Sequence, residues 1–247
     1  MRNKVIALLK EKLAEHSFIY ALWLEGADAH GRADAFSDLD LWIDVEDAYI
    51  ADAFSALEQI LEALGPLDKK VLQPHDGEEI FQCFYHIKGS SPFLLLDVCI
   101  QKHSRNITFN ESNTDERICV LFDKATVLRF SKGSAADATY IKQCIQDIAA
   151  AFSVYRPKVE KHLRRGHFLS ALQAYHHYVL EPLVTLMRLA VDPSKKDFYL
   201  KHVENDLPQS DRDLLTKLFT PGTLHEQELV KRLRHKYPEA FLQLIAK

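Results

Sequence analysis

Three aspartates stand at positions where a strand would ordinarily be apolar or mixed. Asp38 and Asp40 open the run DLDLWIDV (38–45), and Asp97 interrupts PFLLLDVCI (92–100). Alternation along a strand places Leu39, Leu41, Ile43 and Val45 on one face and Asp38, Asp40, Trp42 and Asp44 on the other. Like charges this close repel, and aspartate is a poor strand former. A divalent cation removes both objections, because Mg²⁺ prefers hard carboxylate oxygens and fills its remaining octahedral positions with waters and phosphates. A plainer reading stands beside it, in which Asp38 and Asp40 are solvated residues on an exposed face.

Asp97 is the more informative acid. Leu94, Leu95, Leu96, Val98 and Ile100 around it mark an interior strand, expected to be covered on both faces. A carboxylate there is costly unless it is paired or on a metal. It is either salt-bridged to a buried Lys or Arg, or gathered with the other two acids. A glycine-bearing loop, beginning at Gly26, precedes the acid pair, and such loops let backbone N–H groups approach phosphates. Ser37 adds a hydroxyl next to Asp38 in the chain.

Other chemistries find less support. His176 and His177 are adjacent and cannot share a helix face. There is no HExxH, GxSxG or P-loop pattern. Glu78 and Glu79 follow a plausible turn at Asp76-Gly77 and read as solvated. The basic stretch KVEKHLRRGHF (158–168) reads as a solvated helix end, with a reach towards a triphosphate as the alternative.

The elements that must position these residues follow from the pattern. Residues 2–16 read as an amphipathic helix and not a signal peptide, since Lys10, Glu11 and Lys12 break the apolar patch. FIYALWLEG (18–26) reads as a strand, 27–37 as a loop or short helical turn, and 38–45 as a second strand. Helical spacing of Ile50, Phe54, Leu57, Ile60, Leu61 and Leu64 predicts a helix over 47–64, stopped by Gly65-Pro66. LDKKVLQ, EIFQCFYHIKG and PFLLLDVCIQ predict three more strands, and 117–130 a last extended segment. SKGSAAD (131–137) is the natural boundary. Beyond it, 135–164 and 168–191 read as long helices, the second kinked at Pro182, with 197–205, 209–219 and 223–246 completing a bundle.

The expected fold class is thus α+β: a mixed β-sheet domain with flanking helices over 1–132, then a helical bundle over 133–247. Charge follows this division. Residues 1–134 carry 22 acids against 14 Lys and Arg, whereas 135–247 carry 13 against 17. An acidic half argues against non-specific nucleic-acid binding and suits a site that collects divalent metal. The absence of a membrane-length apolar run and of any CxxC pair among Cys83, Cys99, Cys119 and Cys144 makes a cytoplasmic protein with free thiols the expectation.

The pattern Gly26-Ala27, ten residues, Asp38-Leu39-Asp40, then an apolar strand with an embedded acid, resembles the DNA polymerase β-like nucleotidyltransferase superfamily. LEGADAHGRADAFSDLDL looks closest to the bacterial aminoglycoside-type nucleotidyltransferases, and RRGHFLSALQAYHHYVLEPLVTLMRLA resembles the helical domains attached to them. The resemblance implies that Asp38 and Asp40 hold Mg²⁺, with Asp97 a third ligand, a general base, or both. It implies that Gly26, Ala27 and Ser37 contact the triphosphate of an NTP, most simply ATP. The expected reaction is transfer of an NMP to a hydroxyl of a small, aminoglycoside-like molecule. Ala27 departs from the Ser or Gly usual in that loop and forfeits a hydroxyl contact. The alternatives are a nucleotide-binding or regulatory module that has lost turnover, and a nucleotidyltransferase of the toxin–antitoxin type that modifies a protein partner.

Overall fold

The computed structural model describes residues 1–74, 77–111, 113–132 and 138–219. Two compact units, Met1–Gly133 and Ser134–Lys247, divide the chain.

The first unit is a mixed α/β structure built on a six-stranded sheet. Helix α1 (Arg2–Ala14) leads to β1 (Ile19–Leu24), the short helix α2 (Gly26–Ala29) and β2 (Leu39–Val45). Helix α3 (Ile50–Glu62), β3 (Leu67–Gln73), β4 (Ile80–Ile87) and β5 (Leu96–Lys102) follow. Strands β6 (Thr108–Asn110), β7 (Cys119–Asp123) and β8 (Arg129–Ser131) complete the unit. The sheet order is β3-β4-β5-β2-β1-β7, and β6 pairs with β8 separately. Strands β2 and β5 run parallel at its centre, whereas the other neighbours in the sheet are antiparallel.

Burial follows the alternation. Leu39, Leu41, Ile43 and Val45 of β2 and Leu96, Val98 and Ile100 of β5 pack under Val5, Leu9 and Leu13 of α1 and Ala53, Leu57 and Leu61 of α3. The opposite face carries three rungs across β2 and β5: Asp40 beside Asp97, Trp42 beside Cys99, and Asp44 beside Gln101. A smaller apolar cluster of Ala21, Trp23, Phe109, Val127 and Leu128 covers part of that face.

Three expectations for the first unit need correction. Residues 117–130 do not form one extended segment: Asp123 accepts from the backbone N–H groups of Ala125, Val127 and Leu128, so the chain turns and splits into β7 and β8. Strand β2 begins at Leu39, leaving Asp38 just outside it. The second face of β5 is covered at Cys99 and Gln101 but opens at Asp97, which is only half-buried.

In the second unit the described elements are helical. Helix α4 (Ala138–Tyr155) gives way to α5 (Pro157–Arg164), so the single helix expected over 135–164 is broken. Pro157 opens α5, and its ring leaves no N–H for the preceding turn. Helix α6 (Phe168–Tyr175) passes through a π-helical turn, His176–Leu180, into α7 (Glu181–Val191). Pro182 sits in the first turn of α7, and the widened turn before it accommodates the missing hydrogen bond. Helices α8 (Val203–Asp206) and α9 (Gln209–Phe219) follow. The predicted helix over 223–246 lies outside the described residues, as do most of the predicted boundary at 131–137 and Asp76 of the predicted turn.

The core of the first unit depends on β2. Leu41 is fully buried, so Leu41→Ala should cost about 2–5 kcal/mol, read as a lower urea midpoint with unchanged slope. A loss under about 1 kcal/mol would contradict the packing described.

Candidate active site

The site is assembled by two strand ends and one turn. Parallel register sets Asp40 directly beside Asp97 on the same sheet face. Strand β1 delivers the chain to Gly26 next to them, held by the Glu25 N–H donating to the Asp40 carbonyl at 3.1 Å. Gly26 has φ +56°, and a Cβ there would lie 1.8 Å from Asp40 Oδ2. Backbone and carboxylate thus meet at a separation no side chain permits, which is why the position is glycine.

Asp40 is half-buried, and no hydrogen-bond donor reaches its carboxylate among the described residues. Burial pushes its pKa up to about 6, reinforced by Asp38, Asp97, Glu25 and Asp28. Asp44, two residues along the same face, shows the contrast. It is fully buried yet accepts from Gln101 Nε2 and His103 Nδ1, each at 2.7 Å. One acid is satisfied by the protein; the other is held among like charges.

Asp97 accepts from Gln82 Nε2 at 2.6 Å. Asp38 is exposed at the start of β2, within electrostatic reach of Asp40. Gly26 and Ala27 open α2. The Ser37 hydroxyl donates to Asp34 Oδ1 at 2.8 Å and accepts from the Asp34 N–H at 3.0 Å. It is therefore engaged within its own loop. Cys99 is buried beside these acids, and burial followed by Asp97, Glu25 and Asp40 pushes its thiol up to about 12, which keeps it an inert neutral group.

Sequence reasoning missed four participants. Glu25 joins the acidic cluster while accepting from Trp23 Nε1 at 3.0 Å. Asp28 lies one turn into α2, Gln82 steadies Asp97, and Arg2 pairs with Asp28 at 2.5 Å. Glu25 and Asp28 flank the glycine in sequence, and alternation in β4 puts Gln82 on the Asp97 face. Nothing local marks Arg2.

Elsewhere, Lys158 of the basic stretch lies 4.5 Å from the Tyr155 ring centre and 4.8 Å from that of Tyr178. Arg164 pairs with Glu160. These contacts fit a solvated helix whose charges serve its own unit.

The donor set is all hard oxygen and suits Mg²⁺ in kind. No three His, Cys, Asp or Glu side chains among the described residues converge as a ready-made metal cage. Mg²⁺ seldom needs one, since it binds through one or two carboxylates together with substrate phosphates. The Asp40 carboxylate, which no donor reaches among the described residues, stands beside Asp97 and fits that mode.

No family model matches the chain, and no curated protein matches it. Among solved structures, JHP933 from Helicobacter pylori aligns over 99% of this chain and 96% of its own, at 16% identity and a TM-score of 0.29. A CCA-adding enzyme in its apo form aligns over 95% of this chain and 65% of its own, at 13% identity and a TM-score of 0.29. A CCA-adding enzyme complexed with ATP aligns over 94% and 65%, at 14% identity and a TM-score of 0.26. Similarity this low carries no argument, so the reading of the site rests on its own residues. Among the described residues no helix is long and apolar enough to cross a membrane.

Two outcomes test this geometry. Gly26→Ala should destabilise more than Gly31→Ala. Both glycines have positive φ, which costs a side chain about 1–2 kcal/mol, but only at Gly26 does the new Cβ strike a carboxylate. Equal urea midpoints would sink the contact. The second concerns pH. A carboxyl raised to about 6 in the fold, against 3.8 ordinarily, is bound to its proton more tightly when folded, so stability falls as pH rises from about 4 through 6. Without added metal, Asp40→Asn should therefore melt higher than wild type at pH 8, the gap closing by pH 4. A variant less stable at pH 8 would show that the Asp40 charge is satisfied after all.

Proposed function

We propose that residues 1–132 are a Mg²⁺-dependent nucleotidyltransferase domain and that 133–247 are a helical bundle domain attached to it. The reaction is transfer of an NMP, AMP in the simplest case, from an NTP to a hydroxyl of a small, aminoglycoside-like molecule. One observation carries the reading: Asp40, half-buried and without a donor among the described residues, stands in register beside Asp97 with the Gly26 backbone against it.

Mg²⁺ held by Asp38 and Asp40, with Asp97 as a third ligand or as base, would neutralise the phosphate charge that these acids otherwise repel. The chain's own residues do the rest. Gly26 lets the loop approach the acids without a side chain between. In the base role Asp97, steadied by Gln82, orients the acceptor hydroxyl and takes its proton. The acceptor oxygen bonds to the α-phosphorus, the bond from that phosphorus to the bridging oxygen breaks, and pyrophosphate leaves.

A second reading has a specific observation behind it. Ala27 has no hydroxyl, and that of Ser37 is turned to Asp34. Neither position then offers a free hydroxyl to a triphosphate, which favours a nucleotide-binding module with weakened turnover.

Incubation with each NTP, Mg²⁺ and a panel of hydroxylated small molecules should yield acceptor plus NMP by mass spectrometry, with Asp40→Asn inactive. Mg²⁺-dependent NTP binding without product across the panel would favour the binding module. No binding at all would sink both.

A further inference from the structure

Arg2 stands far from the acids in sequence, 26 residues before Asp28 and 36 before Asp38. Its guanidinium nevertheless meets three acceptors around them. Nη1 donates to Asp28 Oδ2 at 2.5 Å and to the Asp38 carbonyl at 3.0 Å, and Nη2 donates to the Ser37 carbonyl. The side chains of Arg2 and Asp28 retain only 16% and 11% of their exposure. This is therefore not a solvated surface pair of the kind that contributes little.

The three acceptors lie at the two ends of one loop. Asp28 belongs to α2, which starts at Gly26 against the Asp40 carboxylate. Ser37 and Asp38 end the loop and enter β2. Arg2 therefore ties the beginning of the loop to its end. A planar fork with several donors is what spanning a carboxylate and two carbonyls requires, and a lysine ammonium on a flexible stem spans them less well.

We infer that Arg2 is a positioning residue of the carboxylate site, clamping Asp38 and the Gly26 turn in the arrangement that receives metal and nucleotide. The inference rests on the nucleotidyl-transfer reading for its ligand, though not for its geometry. The clamp has an electrostatic side too. Asp28 lies within reach of both Asp38 and Asp40, and pairing it with Arg2 offsets one of the charges crowding the site.

The test compares Arg2→Gln and Arg2→Lys with wild type in the full chain. Three quantities are read: melting temperature in EDTA, amide hydrogen exchange over 26–40, and Mg²⁺·ATP affinity by calorimetry. Arg2→Gln should lower the melting temperature by a few degrees, because Asp28 loses its partner, speed exchange within 26–40 more than in the rest of the first unit, and weaken Mg²⁺·ATP about tenfold, or about 1.4 kcal/mol. Arg2→Lys should fall between the two, since it keeps the Asp28 pair and loses the fork. Unchanged exchange and affinity in Arg2→Gln would overturn the inference. So would a uniform loss across the first unit that Arg2→Lys does not relieve, because that marks a merely structural role. If wild type binds no Mg²⁺·ATP, the nucleotidyl-transfer reading fails, while exchange over 26–40 still decides the clamp.

Discussion

The parallel pairing of β2 with β5 is the constraint on which the candidate site depends. It joins segments 57 residues apart and places Asp40 beside Asp97. The same pairing stacks Leu39 on Leu96 and Leu41 on Val98 on the other face. Burial of those leucines and valines under α1 and α3 is what holds the acids together. Hydrophobic burial is non-directional and large, whereas repulsion between partly solvated carboxylates is modest, so the core wins and the acids stay where the register puts them. The site is strained electrostatically because the sheet beneath it is not free to relax.

Much of this was legible in the chain. Period-two alternation in DLDLWIDV named the core face of β2 and the acid face opposite it, because one side of the strand is apolar and the other is not. Asp97 stood out for the converse reason, as a lone charge in a run of leucines. The broken helix at Pro157 and the two-strand outcome over 117–130 were harder. The first was written in a proline that helical periodicity on both sides masked. The second depended on Asp123 capturing three backbone N–H groups, a local turn that strand-like composition conceals.

The rest of the site lay beyond local reading. Arg2 sits in a helix whose apolar spacing announces a core contact and nothing more; its reach to Ser37 and Asp38 is a tertiary fact. Ser37 shows a different limit of local reading. A hydroxyl next to an acid in sequence suggested a ligand contact, but Asp34, three residues back, offered a nearer partner. Short polar side chains in loops satisfy themselves locally first, and a sequence pattern cannot show which hydroxyl is still free to do so elsewhere.

The long separation between β2 and β5 also bears on how the protein is made. Contacts distant along the chain close late, since their loop entropy must be met before they contribute. The neighbouring antiparallel hairpin of β3 and β4 can form on its own much earlier. A slip of β2 by one residue against β5 would turn Asp40 into the leucine core, so the acid disfavours that misaligned pairing. An intermediate that lacks this pairing does not bring Asp97 to Asp40. Any ligand that needed both acids would accordingly select the completed fold, and the correct register would be a condition of its binding.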